Sequence, residues 1–367
     1  MCLTERADCP PVKRFILAAA LAAAVISPAA AAAPGLLLGV DDDSLRWYAH
    51  TQSLLSIYND LGVGAVRVNV TWSRGESYPA GTDRTELNRV GAASRRIRVV
   101  LAVTGAPSAA PTDAAGRASY CGFVANILRS YPSIRDVAIW TEPNQSAFWQ
   151  PHKTAPAAYE ALLATCWDTL HAVAPGVNVI ATSSPHGKPA SWFAGLGKAY
   201  RASGRTLPIF DTVGHNAYPQ TSAEAPDARH AKGPIDEGDL DRLLAALAKA
   251  FGGTAQPLPG EGRVTVWYLE DGFQTVPPAG APYSGTETDR HPVPEAVQAT
   301  QLTAAVQLAY CQPAVGGFFN FELRDDSSLS GWQSGLLRPD WSAKPAFVAY
   351  LQALAAARAG TISCPAQ

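Results

Sequence analysis

Short apolar runs rich in valine, isoleucine and aromatic residues recur along the chain between longer amphipathic stretches. They lie at Gly35–Val40, Ala65–Trp72, Arg98–Thr104, Asp136–Thr141, Asn178–Ser183, Ile209–His215, Arg263–Glu270 and Val315–Leu323. Alternation of apolar and polar positions is not strict, so the runs predict strands covered on both faces, as in parallel sheets. Turn residues feed most of them, as in Leu61-Gly62-Val63-Gly64 and Ala174-Pro175-Gly176. Between the runs, apolar residues recur every three or four positions in Tyr159–Val173, Leu240–Phe251 and Ala296–Tyr310, and Lys344–Ala357 supplies a last helix.

Eight β-like runs alternating with about eight helical stretches predict a parallel sheet with right-handed crossovers. Eight such units predict closure into an α/β TIM (β/α)8 barrel. An open doubly wound sheet is the alternative, but no GxGxxG follows the first run. With neither linker nor repeat, residues 34–367 read as a single domain. The connections at 216–236, 271–295 and 324–343 are long and rich in Pro, Gly and Ser. All three follow strands, so they gather on the face where such barrels carry their sites.

Composition narrows the possibilities. Of 367 residues 47% are hydrophobic, enough for a large core, and 16% are charged, so the chain reads as globular. A net charge of -2 and the lack of a basic stripe give no case for a nucleic-acid partner. At the N-terminus Lys13-Arg14 precede the apolar run Phe15–Ile26, and the small-residue tract Ala29–Ala33 follows. That is the form of an export signal over residues 1–33, cleaved near 31–34. The run of 12 residues falls short of the roughly 20 that span a bilayer. A secreted or extracytoplasmic chain is expected, and a monomer; an uncleaved N-terminal anchor is the alternative.

Cys2 and Cys9 would leave with the signal, and Cys121, Cys166, Cys311 and Cys364 would remain. Four cysteines in an exported chain allow two disulfides in three connectivities. Cys121–Cys166 and Cys311–Cys364 are preferred, because each pair falls on consecutive helices or the segment after one. Four free thiols are the alternative. No CxxC or Cys/His spacing suggests a metal site.

The strand ends carry the candidate chemistry. The second run offers Arg67 and Trp72, the fourth Glu142 and Asn144, the sixth His215 and Tyr218, the seventh Glu270 and Asp271, and the eighth Glu322. Glutamates ending the fourth and seventh strands face each other across a barrel rim. Two carboxylates flanking one bond are what glycoside hydrolysis needs, one protonated and one ionised. Arg67 and Tyr218 would serve Glu270, and Glu142, between Trp140 and Pro143, would sit in drier surroundings and hold its proton.

RVNVTW, WTEPN, HNAY and WYLEDGFQT resemble the strand-end motifs of the retaining glycoside hydrolases of clan A, especially families 5 and 39. The resemblance runs from Gly39 to Lys344. It implies Glu142 as acid/base, Glu270 as nucleophile and Arg67 as the arginine beside the nucleophile. It also implies a carbohydrate substrate and no cofactor. Three departures stand out: Thr141 replaces the family's asparagine before the acid/base, leaving Asn144 as a substitute; two residues rather than one separate His215 from Tyr218; and Phe319 and Phe321 stand where a tryptophan platform is common, leaving Trp332 for stacking. Retention requires the carboxyl groups about 5–5.5 Å apart, whereas inversion needs about 8 Å. Asp271 and Glu322 are rivals for the nucleophile's place, and Trp47, Trp167 and Trp192 read as packing. A transglycosylase on the same site and an inactive glycan-binding barrel are the alternatives to a hydrolase.

Overall fold

A computed structural model describes residues 35–260, 264–289 and 291–365; the expected export signal lies outside them. Eight strands close into one barrel in sequence order, every neighbouring pair parallel. They are β1 (Leu37–Asp41), β2 (Ala65–Thr71), β3 (Arg98–Thr104), β4 (Asp136–Ile139), β5 (Asn178–Ser183), β6 (Thr212–Asn216), β7 (Val266–Asp271) and β8 (Val315–Phe321). The helices around them are α1 (Ser44–Trp47), α2 (Thr51–Leu61), α3 (Gly81–Ala93), α4 (Ala114–Ser130), α5 (Ala155–Val173), α6 (Pro189–Ser203), α7 (Leu240–Phe251), α8 (Glu295–Tyr310) and α9 (Pro345–Ala359). The fold is the expected TIM barrel.

Strand pleating divides the core in two. Along β3, Val99, Leu101 and Val103 face the helices, while Val100 and Ala102 face the barrel interior with Ala65, Ala138, Ile180, Leu269 and Phe319. The interior is filled rather than open. Gly39 makes room for this filling: a Cβ there would stand 2.5 Å from the Phe319 ring. Helix boundaries follow local chemistry. Asp113 caps α4 by accepting from the Gly116 N–H at 2.7 Å, prolines open α6 and α9, and left-handed Gly62, Gly204 and Gly360 close α2, α6 and α9.

Two strands depart from expectation for visible reasons. In β6 the apolar Ile209-Phe210 precede the ladder, and the Ile209 N–H donates to Gln256 Oε1 at 2.8 Å instead of to a neighbouring strand. In β4 the ladder stops at Ile139, because Trp140 turns into the left-handed region at φ 64°. The cysteine pairing is as preferred: Cys121–Cys166 joins α4 to α5, and Cys311–Cys364 joins the end of α8 to the segment after α9. No helix among the described residues is long and apolar enough to cross a membrane.

Candidate active site

The long connections after β6, β7 and β8 surround a cavity of about 560 Å³ at the C-terminal ends of the strands. Glu142 and Glu270 both line it, with Asn69, Thr141, Tyr218 and Trp332 among their neighbours. A groove of about 590 Å³ opens at the opposite end of the barrel, beside α2 and the start of β3. Asp60 is its sole carboxylate, so it offers no acid pair.

Glu142 owes its position to an unusual turn. Trp140 at φ 64° and Glu142 at φ 38° both take left-handed backbone, which side chains with a Cβ avoid and which gathers at functional sites. Trp140 is anchored underneath, its indole donating to the Phe148 carbonyl at 2.7 Å and its ring meeting Tyr120 and Trp149 edge-on or tilted. The turn lifts Glu142 from an apolar floor into the cavity wall, where it is 9% exposed. Asn216 Nδ2 donates to its Oε1 at 2.7 Å, and Gln145 Nε2 donates to its Oε2. Gln145 is itself 2.7 Å from Ser184 Oγ. Burial, and then the charge of Glu270, push the Glu142 carboxyl up to about 7, against the opposing effect of these donors.

Glu270 has a different environment. Arg67 Nη1 lies 2.9 Å from its Oε1, and Tyr218 Oη donates to its Oε2 at 3.0 Å. Arg67 is 1% exposed and also pairs with Asp41 at the end of β1. Burial disfavours its charge, but Asp41 and Glu270 outweigh that and hold it cationic. Trp332 stacks on the far side of Tyr218 with ring centres 5.4 Å apart and an interplanar angle of 28°. It also meets Phe321 edge-on at 5.2 Å. An aromatic wall thus adjoins the carboxylate and its cation.

Five strand-end candidates lie outside the cavity. Trp72 is fully buried, edge-on to Tyr120 at 5.4 Å, and does not reach the cavity. Asn144 is also fully buried; its amide donates to the carbonyls of Ser184 and His186 at 3.0 and 2.7 Å, and its Oδ1 accepts from the Ser184 N–H. It clamps the connection after β5, leaving no free donor to replace the family's asparagine. His215 lies beneath the floor between Ser183 Oγ at 2.8 Å and the Ile235 carbonyl at 2.7 Å, and burial pushes its pKa down to about 4. Glu322 lines a pocket of about 270 Å³ beside the cavity with Asp41, Asp42, Asp43, Asp326 and Trp47, whose ring also packs under the Arg324 guanidinium. Asp271 points away from the cavity, 1% exposed and against the Gly272 N–H.

Asn216 and Gln145 are the residues the sequence reading did not single out. The register between β6 and β7 shifts between His215 and Asn216, and a shift of that kind re-aims the next side chain. A polar residue ending a strand was the available signal for Asn216.

No protein-family model matches the chain, and no curated protein matches it in sequence. Among solved structures it is similar to the GH53 catalytic domain of Ignisphaera aggregans, with a TM-score of 0.58 and 14% identity over 87% of this chain and 98% of that one. It is also similar to the virulence factor SghA, solved with its substrate analogue salicin, at 0.58 and 13% over 87% and 95%. A GH2 β-galacturonidase from Eisenbergiella tayi aligns at 0.53 and 15% over 84% of this chain. The shared fold is the TIM barrel. This barrel spans 47% of the length of that β-galacturonidase, and at these identities the likeness is one of fold.

Proposed function

We propose that the chain is an exported glycosidase that cleaves β-glycosidic bonds with retention. The observation that carries the reading is the pair of strand-end glutamates in one cavity with opposite surroundings. Glu142 is buried and raised to about 7, so it holds a proton for the departing oxygen near neutral pH. Glu270 has a guanidinium and a hydroxyl as partners, which leaves a carboxylate oriented to attack the anomeric carbon. In the first step the Glu270 oxygen bonds to that carbon as the glycosidic C–O bond breaks, and the Glu142 proton goes to the leaving oxygen. In the second, Glu142 takes a proton from water as its oxygen displaces Glu270. Carbohydrate-active neighbours on the same fold, named as GH53 and GH2 proteins, support the reading. Two disulfides fit an oxidising compartment, in keeping with export.

A panel of aryl β-glycosides and polysaccharides, run on the wild type, Glu142→Ala and Glu270→Ala, tests this. Losing the acid/base is expected to lower turnover by about 10²–10⁴-fold, and losing the nucleophile by at least as much. Azide should rescue both, giving a β-glycosyl azide with Glu142→Ala and an α-glycosyl azide with Glu270→Ala. Full activity in Glu270→Ala, with loss in Glu322→Ala, would transfer the nucleophile's role to Glu322.

A further inference from the structure

The connection from β6 to α7 carries a second ionisable cluster, outside the cavity. His230 stands at its centre. Its Nε2 lies 3.0 Å from Glu224 Oε1, and its Nδ1 lies 3.0 Å from Asp239 Oδ2 and 3.2 Å from Asp236 Oδ2. Asp239 is well served: its Oδ1 accepts the His230 backbone N–H at 2.8 Å, and its Oδ2 accepts Arg242 Nη1 at 2.9 Å. Asp236 is not. It is 4% exposed, and neither of its carboxyl oxygens receives a hydrogen bond. The imidazole nitrogen beside it stands 3.0 Å from Asp239 Oδ2 and 3.2 Å from Asp236 Oδ2, so one hydrogen at most serves both carboxyls.

A buried carboxyl without a donor must take up a proton or a cation. One donor atom each from Glu224, His230 and Asp236 lies within 4.8 Å of the other two. Donors about 2.0–2.2 Å from a tetrahedral zinc ion stand about 3.3–3.6 Å apart; Glu224 and Asp236 face opposite nitrogens of the imidazole, so closing the set takes a turn of the His230 ring together with one carboxyl. We infer that Glu224, His230 and Asp236 form a binding site for a divalent transition-metal cation of the zinc class, separate from the catalytic carboxylates. An imidazole among carboxylates suits such an ion better than calcium or magnesium, which prefer all-oxygen ligands. The three residues are spaced six apart, a pattern without cysteine that no motif flags.

The site has a structural consequence. The segment it would close also supplies Tyr218 and Pro219 to Ser222 to the cavity wall. It is already tied to neighbouring elements, through Gln301 Nε2 donating to the Glu224 carbonyl at 2.7 Å and the Gln274 N–H donating to the Ser222 side-chain Oγ at 2.8 Å. A bound cation would staple the remaining, acidic end of that wall without touching substrate. This inference stands whether or not the cavity hydrolyses glycosides.

The test is a calorimetric titration of the full chain, stripped with EDTA, with zinc chloride and then with calcium chloride. Zinc is expected to bind with about one-to-one stoichiometry and to raise Tm, both reversed by EDTA, while calcium does neither. Glu224→Gln, His230→Gln and Asp236→Asn should each weaken zinc uptake at least about tenfold, and Glu142→Gln should leave it intact. Without metal, Asp236→Asn should raise Tm, since it removes the uncompensated charge. Should Asp236→Asn not fold, the test rests on Glu224 and His230, whose side chains are 21% and 18% exposed and tolerate replacement. No saturable zinc uptake by the wild type, uptake unchanged in His230→Gln and Glu224→Gln, or uptake lost only in Glu142→Gln would each overturn the site.

Discussion

The amide of Asn216 stands 2.7 Å from Glu142 Oε1, and a donor at that distance favours the charged form of the carboxyl. In the proposed mechanism Glu142 is protonated for the first chemical step, so kcat/KM is expected to fall as pH rises through about 7, where burial and Glu270 have placed that carboxyl. Asn216→Ala removes a donor that lowers the pKa, so the alkaline limb of the kcat/KM profile should move to higher pH. A limb that stays in place would mean that Glu142 does not set it. At this scale the sequence was readable where a charged residue ends a strand: Glu142, Glu270, Arg67 and Tyr218 are brought together as expected. It was not readable where the question is which way a strand-end side chain points. His215 and Asn216 are adjacent, yet one lies under the floor and the other reaches the acid, and the register shift between them is a property of the closed barrel rather than of either residue.

Elements and their connections decide what the cavity accepts and how firmly it is held. The pocket beside the cavity, between the ends of β1, β2 and β8, is lined by Asp41, Asp42, Asp43, Glu322 and Asp326. Its neighbouring cations are already committed. Arg67 is taken by Asp41 and Glu270, and the Arg324 guanidinium lies 5.1 and 4.9 Å from the ring centres of Trp47 and Trp341. This pocket flanks the Arg67 and Glu270 side, where the glycone would sit. Burial pushes the Asp41 and Glu322 carboxyls well above the usual carboxylate range and raises Asp42, so the like charge that an anionic glycone would meet grows as pH rises. Aryl glycosides of neutral sugars are therefore expected to exceed the matching uronides in kcat/KM, by a ratio that grows as pH rises. Equal kcat/KM for glucoside and glucuronide would refute the argument. The disulfides act at the same scale. Cys311–Cys364 closes a separation of 53 residues and fixes the chain end after α9 to α8. Cys311→Ala with Cys364→Ala should lower unfolding free energy by about 2–4 kcal/mol, read from urea denaturation; an unchanged midpoint would show that α8 and α9 hold each other unaided. The pairing was legible because it follows helix order. The strand limits were less so, since the lead-in Ile209-Phe210 is as apolar as the ladder it precedes, and only Gln256, far along the chain, takes its N–H groups.

The molecule as a whole buries more acid than it pairs, and its stability should record that. The repeating βα pattern made the barrel legible, but the burial of its acids depends on which loops fold over them, and periodicity carries nothing of that. Asp271 is raised to about 7 by burial, Asp236 to about 7 by burial and Asp239, and Glu142 to about 7 by burial and Glu270. Glu237, buried against Asp271, is raised well above the usual carboxylate range. In each case the folded state holds a proton that the unfolded chain releases near pH 4. Their stabilisation is therefore complete below about pH 4 and is lost as pH rises through about 7. His215 has the opposite sign. Burial lowers it to about 4, so its contribution is present above the unfolded value near 6.5 and is lost as pH falls from there. Three acids raised to about 7 outnumber the two lowered histidines, His215 and His186, so stability should be higher at pH 5 than at pH 8, contrary to a protein whose carboxylates are mostly ion-paired. Urea midpoints at the two pH values measure this directly. Glu237→Gln keeps an amide donor for Asp271 but removes one titrating group, so it should flatten the difference. Equal midpoints in the wild type, or a higher one at pH 8, would mean that these carboxyls reach water or a cation in solution. EDTA added at pH 8 then distinguishes the two, since only a cation on Asp236 holds stability that chelation removes.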